Sequence, residues 1–271
     1  MAESHKNLRL HYRTIVLSDI HLGTKHAKVN EVTDYLASVD CDRLILNGDI
    51  IDGWHLKKSG IKKWRPEHTR FFKVIMKMME KHDTEIIYIQ GNHDDFLETL
   101  APLSMGCLKI VKEYVLEGLD GNRYLVVHGD IFDRVCTQMK WLALLGDAGY
   151  TALLWFNSLY NRWRCYRHKP YYSISQAIKQ KVKNAVSYIS DFEDVLANVA
   201  RERQCQGIIC GHIHHPDDRM IGQTRYLNSG DWVETLSALT EDFQGRWNVY
   251  RYYAAPQTAP AAIHNLKNAA S

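Results

Sequence analysis

The 271-residue chain has no pair of cysteines spaced C-x-x-C, and its six cysteines follow no regular interval. That pattern excludes a zinc ribbon and argues against a disulfide framework, so free thiols in a reducing compartment are the expectation. No window offers the roughly 18 uninterrupted apolar residues of a bilayer span. The opening residues, Met1-Ala2-Glu3-Ser4-His5-Lys6, lack the apolar stretch of a secretory signal. These absences predict a cytoplasmic protein that touches at most the inner face of the cell membrane, as a peripheral protein. Neither sign of charge dominates, with 34 Lys and Arg against 31 Asp and Glu for a net charge of +3. The molecule as a whole is therefore no polyanion binder. It also lacks an aromatic-basic platform for single strands, so no nucleic-acid partner is expected. Acid is missing locally as well. Between Asp147 and Asp191 there is no Asp or Glu, while Arg162, Arg164, Arg167, Lys169, Lys179, Lys181 and Lys183 all fall there.

What the chain does contain is apolar runs that end in polar clusters. Thr14-Ile15-Val16-Leu17 leads into Asp19-Ile20-His21, and Arg43-Leu44-Ile45-Leu46 into Asn47-Gly48-Asp49. Ile86-Ile87-Tyr88-Ile89 leads into Gly91-Asn92-His93-Asp94. Tyr124-Leu125-Val126-Val127 leads into His128-Gly129-Asp130, and Gly207-Ile208-Ile209-Cys210 into Gly211-His212-Ile213-His214. Runs of this length and composition read as buried strands. Helical spacing appears between them, at Phe71, Ile75, Met78 and Met79 and at Phe192, Val195, Leu196 and Val199. Strands alternating with helices predict a layered α/β fold. The segments around Arg225-Tyr226-Leu227 and Trp247-Asn248-Val249-Tyr250, with no long helix between them, predict an antiparallel hairpin completing a second sheet. Residues 134–186 break the rhythm and read as a helical cap inserted in a domain of residues 1–253. The Ala- and Pro-rich residues 254–271 read as a disordered tail.

Taken singly, each polar cluster is an ordinary turn. Their order, each after an apolar run, places a rim of metal-type ligands at the ends of strands, where open α/β sheets carry their sites. Asp19 and His21 stand two apart, so an extended chain would aim both at one ion, and His212 and His214 repeat the spacing. Asp49 has two carboxylate oxygens to offer two ions. Asn92 adds an amide oxygen and His128 another imidazole. Mixed N/O ligands without cysteine favour manganese, iron or zinc over calcium. Two such ions, about 3.5–4 Å apart, would activate a water and clamp a phosphoryl oxygen for in-line displacement.

Asp19-x-His21, Gly48-Asp49-x-x-Asp52, Gly91-Asn92-His93-Asp94, His128-Gly129-Asp130 and Gly211-His212-x-His214 resemble the five motifs of the calcineurin-like metallophosphoesterases, over residues 14–253. The resemblance implies a four-layer α/β/β/α sandwich holding two divalent ions, Mn2+ first and Fe or Zn as alternatives. It implies one ion on Asp19, His21, Asp49 and His214, and a second on Asp49, Asn92, His128 and His212. His93 would stabilise the transferred phosphoryl group or protonate the leaving oxygen. Asp52 and Asp94 would orient the histidines.

Within that superfamily the layout resembles the bacterial UDP-2,3-diacylglucosamine pyrophosphatases. The likeness lies in the segment after Asp49, the insertion after His128-Gly129-Asp130, and the closing Asn228-Ser229-Gly230-Asp231-Trp232. It implies cleavage of a nucleotide-linked lipid, UDP-2,3-diacylglucosamine, to UMP and 2,3-diacylglucosamine 1-phosphate, a step of lipid A synthesis, with the cap housing acyl chains. One departure is His93, where the best-known of those enzymes carry arginine; His93 restores the general phosphoesterase motif. In the cap, Leu142, Leu144, Leu145, Leu153, Leu154, Trp155 and Phe156 suit either an acyl groove or the cap's own core. Trp155, Lys179, Lys181 and Lys183 are the candidate substrate contacts there. His55, Lys57, Lys58, Lys62, Lys63 and Arg65 form a second basic segment beside the predicted site. Two other readings stand beside the lipid: a phosphodiesterase or phosphatase for a soluble nucleotide, and a non-enzymatic metal-bound scaffold.

Overall fold

A computed structural model describes residues 9–130 and 193–253, together with residues 160, 166 and 167. Apart from those three, the expected cap at 134–186, with Trp155, Lys179, Lys181 and Lys183, lies outside the described residues, as does the tail at 254–271. The first half runs β1 (Leu10–Leu17), α1 (Val29–Ser38), β2 (Val39–Asn47), α2 (Gly53–Ser59), α3 (Pro66–His82) and β3 (Glu85–Ile89). It continues with β4 (Leu103–Met105), β5 (Leu108–Val111), β6 (Tyr114–Glu117) and β7 (Arg123–Val126). After a helical stretch at residues 193–202 come β8 (Gly207–Cys210), β9 (Asp217–Ile221), β10 (Thr224–Asn228), β11 (Ser237–Glu241) and β12 (Trp247–Arg251).

The strands form a seven-stranded sheet, β12-β11-β1-β2-β3-β5-β4, and a five-stranded sheet, β6-β7-β8-β10-β9. Side-chain alternation along each strand explains how they stack. On β1, Ile15 and Leu17 face α1 and α3, where Val32, Tyr35, Leu36, Phe71, Ile75 and Met78 meet them. Val16, between them, faces the other way and packs with Ile45, Ile87, Val126, Ile209 and Leu227 in the layer between the sheets. On the far side, Leu125, Ile208 and Tyr226 pack against Leu196 and Ala200 of the 193–202 helix. Three apolar clusters separate four layers, the α/β/β/α sandwich that was expected. Among the described residues no helix is long and apolar enough to cross a membrane. Cys41, Cys107, Cys205 and Cys210 are free thiols.

Three expectations need correction. The polar clusters line the rims of two sheets rather than one: β1, β2 and β3 belong to the larger sheet, β7 and β8 to the smaller. The two late segments do not pair with each other. Arg225-Tyr226-Leu227 lies on β10, between β8 and β9, whereas β12 pairs with β11 in the larger sheet. Residues 229–236 carry the chain from one sheet to the other, and strand composition alone does not reveal such a crossing. In the 193–202 helix, Leu196, Ala197 and Ala200 are buried while Val195 is 39% exposed, and Phe192 falls outside the described residues. Leu196 and Val199 face the sheet as expected, while Val195 turns outward and Ala200 takes an inward place.

The crossover segment 229–236 also braces the loop after β1. Trp232 is fully buried and stacks on Tyr35 of α1 at a ring distance of 5.6 Å. Its N–H donates to the Asp19 carbonyl and its carbonyl accepts from Lys28 N–H. One residue thus ties the β10–β11 crossing to α1 by its ring and to the loop after β1 by its backbone. Replacing it by alanine empties a large well-packed space, and such truncations cost about 3–5 kcal/mol. We expect Trp232→Ala to lose that much unfolding free energy in urea titrations. A loss under about 1 kcal/mol would mean that the indole is not the anchor.

Candidate metal centre

The turns after β1, β2 and β8 share a backbone feature that spacing does not reveal. Asp19, His21, Asp49, His212 and His214 all have positive φ, between 51° and 65°. They are five of the eight non-glycine residues so placed among the described residues. Left-handed backbone is uncommon outside glycine and is best tolerated by Asn, Asp and His. Such strain persists only where surrounding bonds over-determine it. Those bonds are present: Asp19 N–H donates to the Gly48 carbonyl, His21 N–H to the Asp49 carbonyl, and Leu22 N–H to the Ile50 carbonyl. The two loops are zipped together. Asp19-x-His21 is therefore not extended, and its side chains converge through two left-handed turns rather than through strand alternation.

The convergence forms three overlapping triads, each with ligand atoms within 4.8 Å of one another: Asp19, His21 and His214; His21, Asp49 and His93; Asp49, His128 and His212. Asp19 Oδ1 lies 3.2 Å from His214 Nε2 and 4.0 Å from His21 Nε2. Asp49 Oδ2 lies 3.4 Å from His128 Nε2, 3.9 Å from His21 Nε2 and 4.0 Å from His93 Nε2. His212 and His214, read from spacing as gripping one ion, fall in different triads on either side of the cluster. The remaining oxygen of each carboxylate is held by backbone: Asp19 Oδ2 accepts from His212 N–H at 2.9 Å and Asp49 Oδ1 from His93 N–H at 2.8 Å. Each aspartate thus presents one oxygen to the cluster and spends the other on its own framework.

The supporting residues fix tautomers and loops. His128 Nδ1 lies 2.8 Å from the Asn47 carbonyl, which can only accept, so Nδ1 donates there and Nε2 is the nitrogen turned inward. Asn47 also spans the sheets by donating its side-chain N–H to the Val127 carbonyl. Asp52 Oδ2 lies 3.2 Å from His93 Nδ1 and 3.7 Å from His21 Nδ1, and its Oδ1 caps α2 at His55 N–H. Asp94, expected to orient a histidine, instead accepts from the N–H groups of Ile50 and Ile51 and holds the loop behind Asp49. Sequence reading passed over the roles of Asn47, Trp54 and Asp231. Asp231 Oδ1 accepts from Val233 and Glu234 N–H, and its Oδ2 sits 4.0 Å from His214 Nδ1. Asn47 and Asp231 stood inside quoted motifs, so their position was the available signal. Trp54 had none.

The charges call for a cation. Burial pushes the Asp19 carboxyl up, but His214, His128 and His21 outweigh it and hold it far below the usual carboxylate range. Asp49 is lowered in the same way: burial opposes, and His128 and His21 prevail over the repulsion of Asp19. Burial works against a proton on His128, yet the charges of Asp49 and Asp19 push its pKa up to about 10. Asp94 is pushed up to about 7, first by burial and then by Asp49. His21 Nε2, His128 Nε2 and Asn92 Oδ1 are buried and make no hydrogen bond to any described residue. Buried polar atoms are nearly always satisfied. Two buried carboxylates, imidazole lone pairs and an amide oxygen left open together are the donor set of borderline divalent ions. The residues fit two such ions.

Glycine makes the approach possible. A Cβ on Gly48, whose φ is +79°, would stand 2.3 Å from His128 Nδ1, and one on Gly91 would stand 2.4 Å from Asp49 Oδ1. Neither neighbour can yield without moving a member of a triad. Disturbing groups that orient metal ligands typically costs 10–100-fold in metal affinity. We expect Gly48→Ala to weaken binding of one divalent ion by about that factor in calorimetric titration, with the far-ultraviolet dichroism unchanged. Unaltered affinity would show that His128 does not depend on this close approach.

Residues 12–216 match the family described as calcineurin-like phosphoesterase. The chain is 23% identical over 234 residues to the UDP-2,3-diacylglucosamine hydrolase of Aliivibrio fischeri (strain MJ11), spanning 83% of this chain and 92% of that protein. Among solved structures it resembles Yfce, a phosphoesterase from E. coli, at 15% identity and a TM-score of 0.40, over 89% of this chain and 99% of that one. An archaeal phosphodiesterase overlaps at 11% identity and a TM-score of 0.41, over 88% and 98%. The match over residues 12–216 takes in all five polar clusters, and the chain belongs to the calcineurin-like phosphoesterase family of metal-dependent phosphoester hydrolases.

Proposed function

We propose that the protein hydrolyses UDP-2,3-diacylglucosamine to UMP and 2,3-diacylglucosamine 1-phosphate, on the cytoplasmic side of the membrane that holds its lipid substrate. The observation that carries this reading is the likeness to the Aliivibrio fischeri hydrolase, which runs through 92% of that protein rather than through the phosphoesterase motifs alone. Asp19, His21, Asp49 and His214 would hold one ion and Asp49, Asn92, His128 and His212 the other, with manganese the favoured metal. The bound ions supply Lewis-acid charge for a phosphoryl group and its attacking water.

The protein's own groups do the rest. Asp49 would serve both ions, and its Oδ1 is held by His93 N–H while Oδ2 faces the cluster. His93, with Nδ1 against Asp52 and Nε2 facing the cluster, donates a hydrogen bond to the phosphoryl oxygens and a proton to the leaving oxygen. Trp155 would meet the acyl chains, and Lys179, Lys181 and Lys183 the phosphates. The apolar product and substrate keep the enzyme at the inner leaflet.

A second reading, hydrolysis of a soluble nucleotide phosphodiester, is favoured by one specific residue: His93 stands where the best-known lipid-cleaving enzymes carry arginine. Apolar burial gains about 0.8 kcal/mol per methylene, so acyl chains that enter the protein dominate affinity. We expect kcat/KM for UDP-2,3-diacylglucosamine to exceed that for UDP-glucosamine by at least about 100-fold, the worth of a few buried methylenes. Equal values would reject the lipid and leave the soluble nucleotide.

A further inference from the structure

His93 is gripped by three consecutive residues that open α2. The Asp52 carboxylate lies 3.2 Å from its Nδ1, and Gly53 N–H donates to its carbonyl at 3.0 Å. The indole of Trp54 lies against its ring, with centroids 4.5 Å apart and planes 35° from parallel. On another side the ring meets His21 edge to face, at 4.8 Å and 89°. Trp54 is itself tied down, because its Nε1–H donates to Asp95 Oδ2 at 3.0 Å, two residues beyond His93. The arrangement closes on itself: the start of α2 holds His93, and the turn that carries His93 holds the start of α2. Gly53 allows it. A Cβ there would stand 2.8 Å from Phe96 Cδ1 and 2.9 Å from the His93 carbonyl oxygen.

We propose that Trp54 is a positioning residue for His93, its indole face fixing the plane of the imidazole whose Nε2 points at the open oxygen of Asp49. The Asp52 carboxylate, 3.2 Å from Nδ1, holds one atom of the ring and by itself lets the ring tilt about that contact. The His21 edge and the Trp54 face remove that freedom, so Nε2 stays aimed. Core packing does not account for the indole, since Trp54 is 48% exposed and a large aromatic left half in water contributes little burial. Both its satisfied polar atom and its ring contact lead to the segment around His93.

This inference rests on the reading of His93 as the group that meets the phosphoryl and leaving oxygens, so the test separates the two. With the phenyl ester of UMP as probe, whose leaving oxygen needs a proton, His93→Ala should lower kcat by ~10²–10⁴. Trp54→Ala should lower kcat by about 10–100-fold, the scale of a misplaced group, with KM and metal content unchanged. Trp54→Phe, which keeps an aromatic face, should recover most of that loss. In the His93→Ala background Trp54→Ala should change nothing further. In metal-free protein, the His93 ring-proton resonance, assigned by its loss in His93→Gln, should shift in Trp54→Ala as the indole ring current disappears. Unimpaired kcat in His93→Ala would overturn the underlying reading and this one together. With His93→Ala impaired, any one of three results overturns the role of Trp54 alone: an equal loss in both backgrounds, a rise in KM at constant kcat, or an unmoved resonance.

Discussion

The centre depends on how one carboxylate is divided between framework and site. Asp49 gives Oδ1 to the His93 N–H and turns Oδ2 to three imidazoles, His128, His21 and His93, all within 4.0 Å. Its left-handed backbone is imposed from several sides: the His21 N–H on its carbonyl, the Asp94 carboxylate on the two amides that follow, and Gly91 pressed against its side chain. Asp49 is a member of two of the three triads, so whatever moves it moves both halves of the site. The strain at its φ of 53° is the cost of that shared position.

The two sheets matter because neither carries a complete ligand set. β1, β2 and β3 deliver Asp19, His21, Asp49, Asn92 and His93, while β7 and β8 deliver His128, His212 and His214. The apolar layer between the sheets, from Val16 and Ile45 to Val126 and Ile209, therefore sets the distance between ligands as well as the stability of the fold. Two cross-sheet bonds refine it at the rim: Asn47 to the Val127 carbonyl and His128 to the Asn47 carbonyl. A close-packed interior has little slack, which lets a site built across two layers hold its geometry.

Much of this was legible in the sequence, for identifiable reasons. The five apolar runs are the five strands that carry the site, because buried parallel strands are short, continuous and β-branched. The order of Asp, Asn and His after those runs named the residues that the structure brings together. What was hidden is whatever depends on backbone hand or on tertiary crossing. The spacing of Asp19 and His21 suggested an extended pair, but both residues are left-handed. Arg225-Tyr226-Leu227 and Trp247-Asn248-Val249-Tyr250 looked like one hairpin, since local composition does not say which sheet a strand will join. Val195 looked like core because it is apolar, yet Leu196 and Ala200 are the residues packed on the sheet. Trp54 carries no motif, and only the fold lays its ring against His93.

The central claim is that Asp49 is shared by two metal ions. Elemental analysis of the protein loaded with manganese and freed of excess ion, beside Asp49→Ala treated identically, tests it most directly. The account predicts about two ions per chain in the native protein and one or none in the variant, with hydrolysis lost. Two ions retained by Asp49→Ala, with turnover intact, would contradict it.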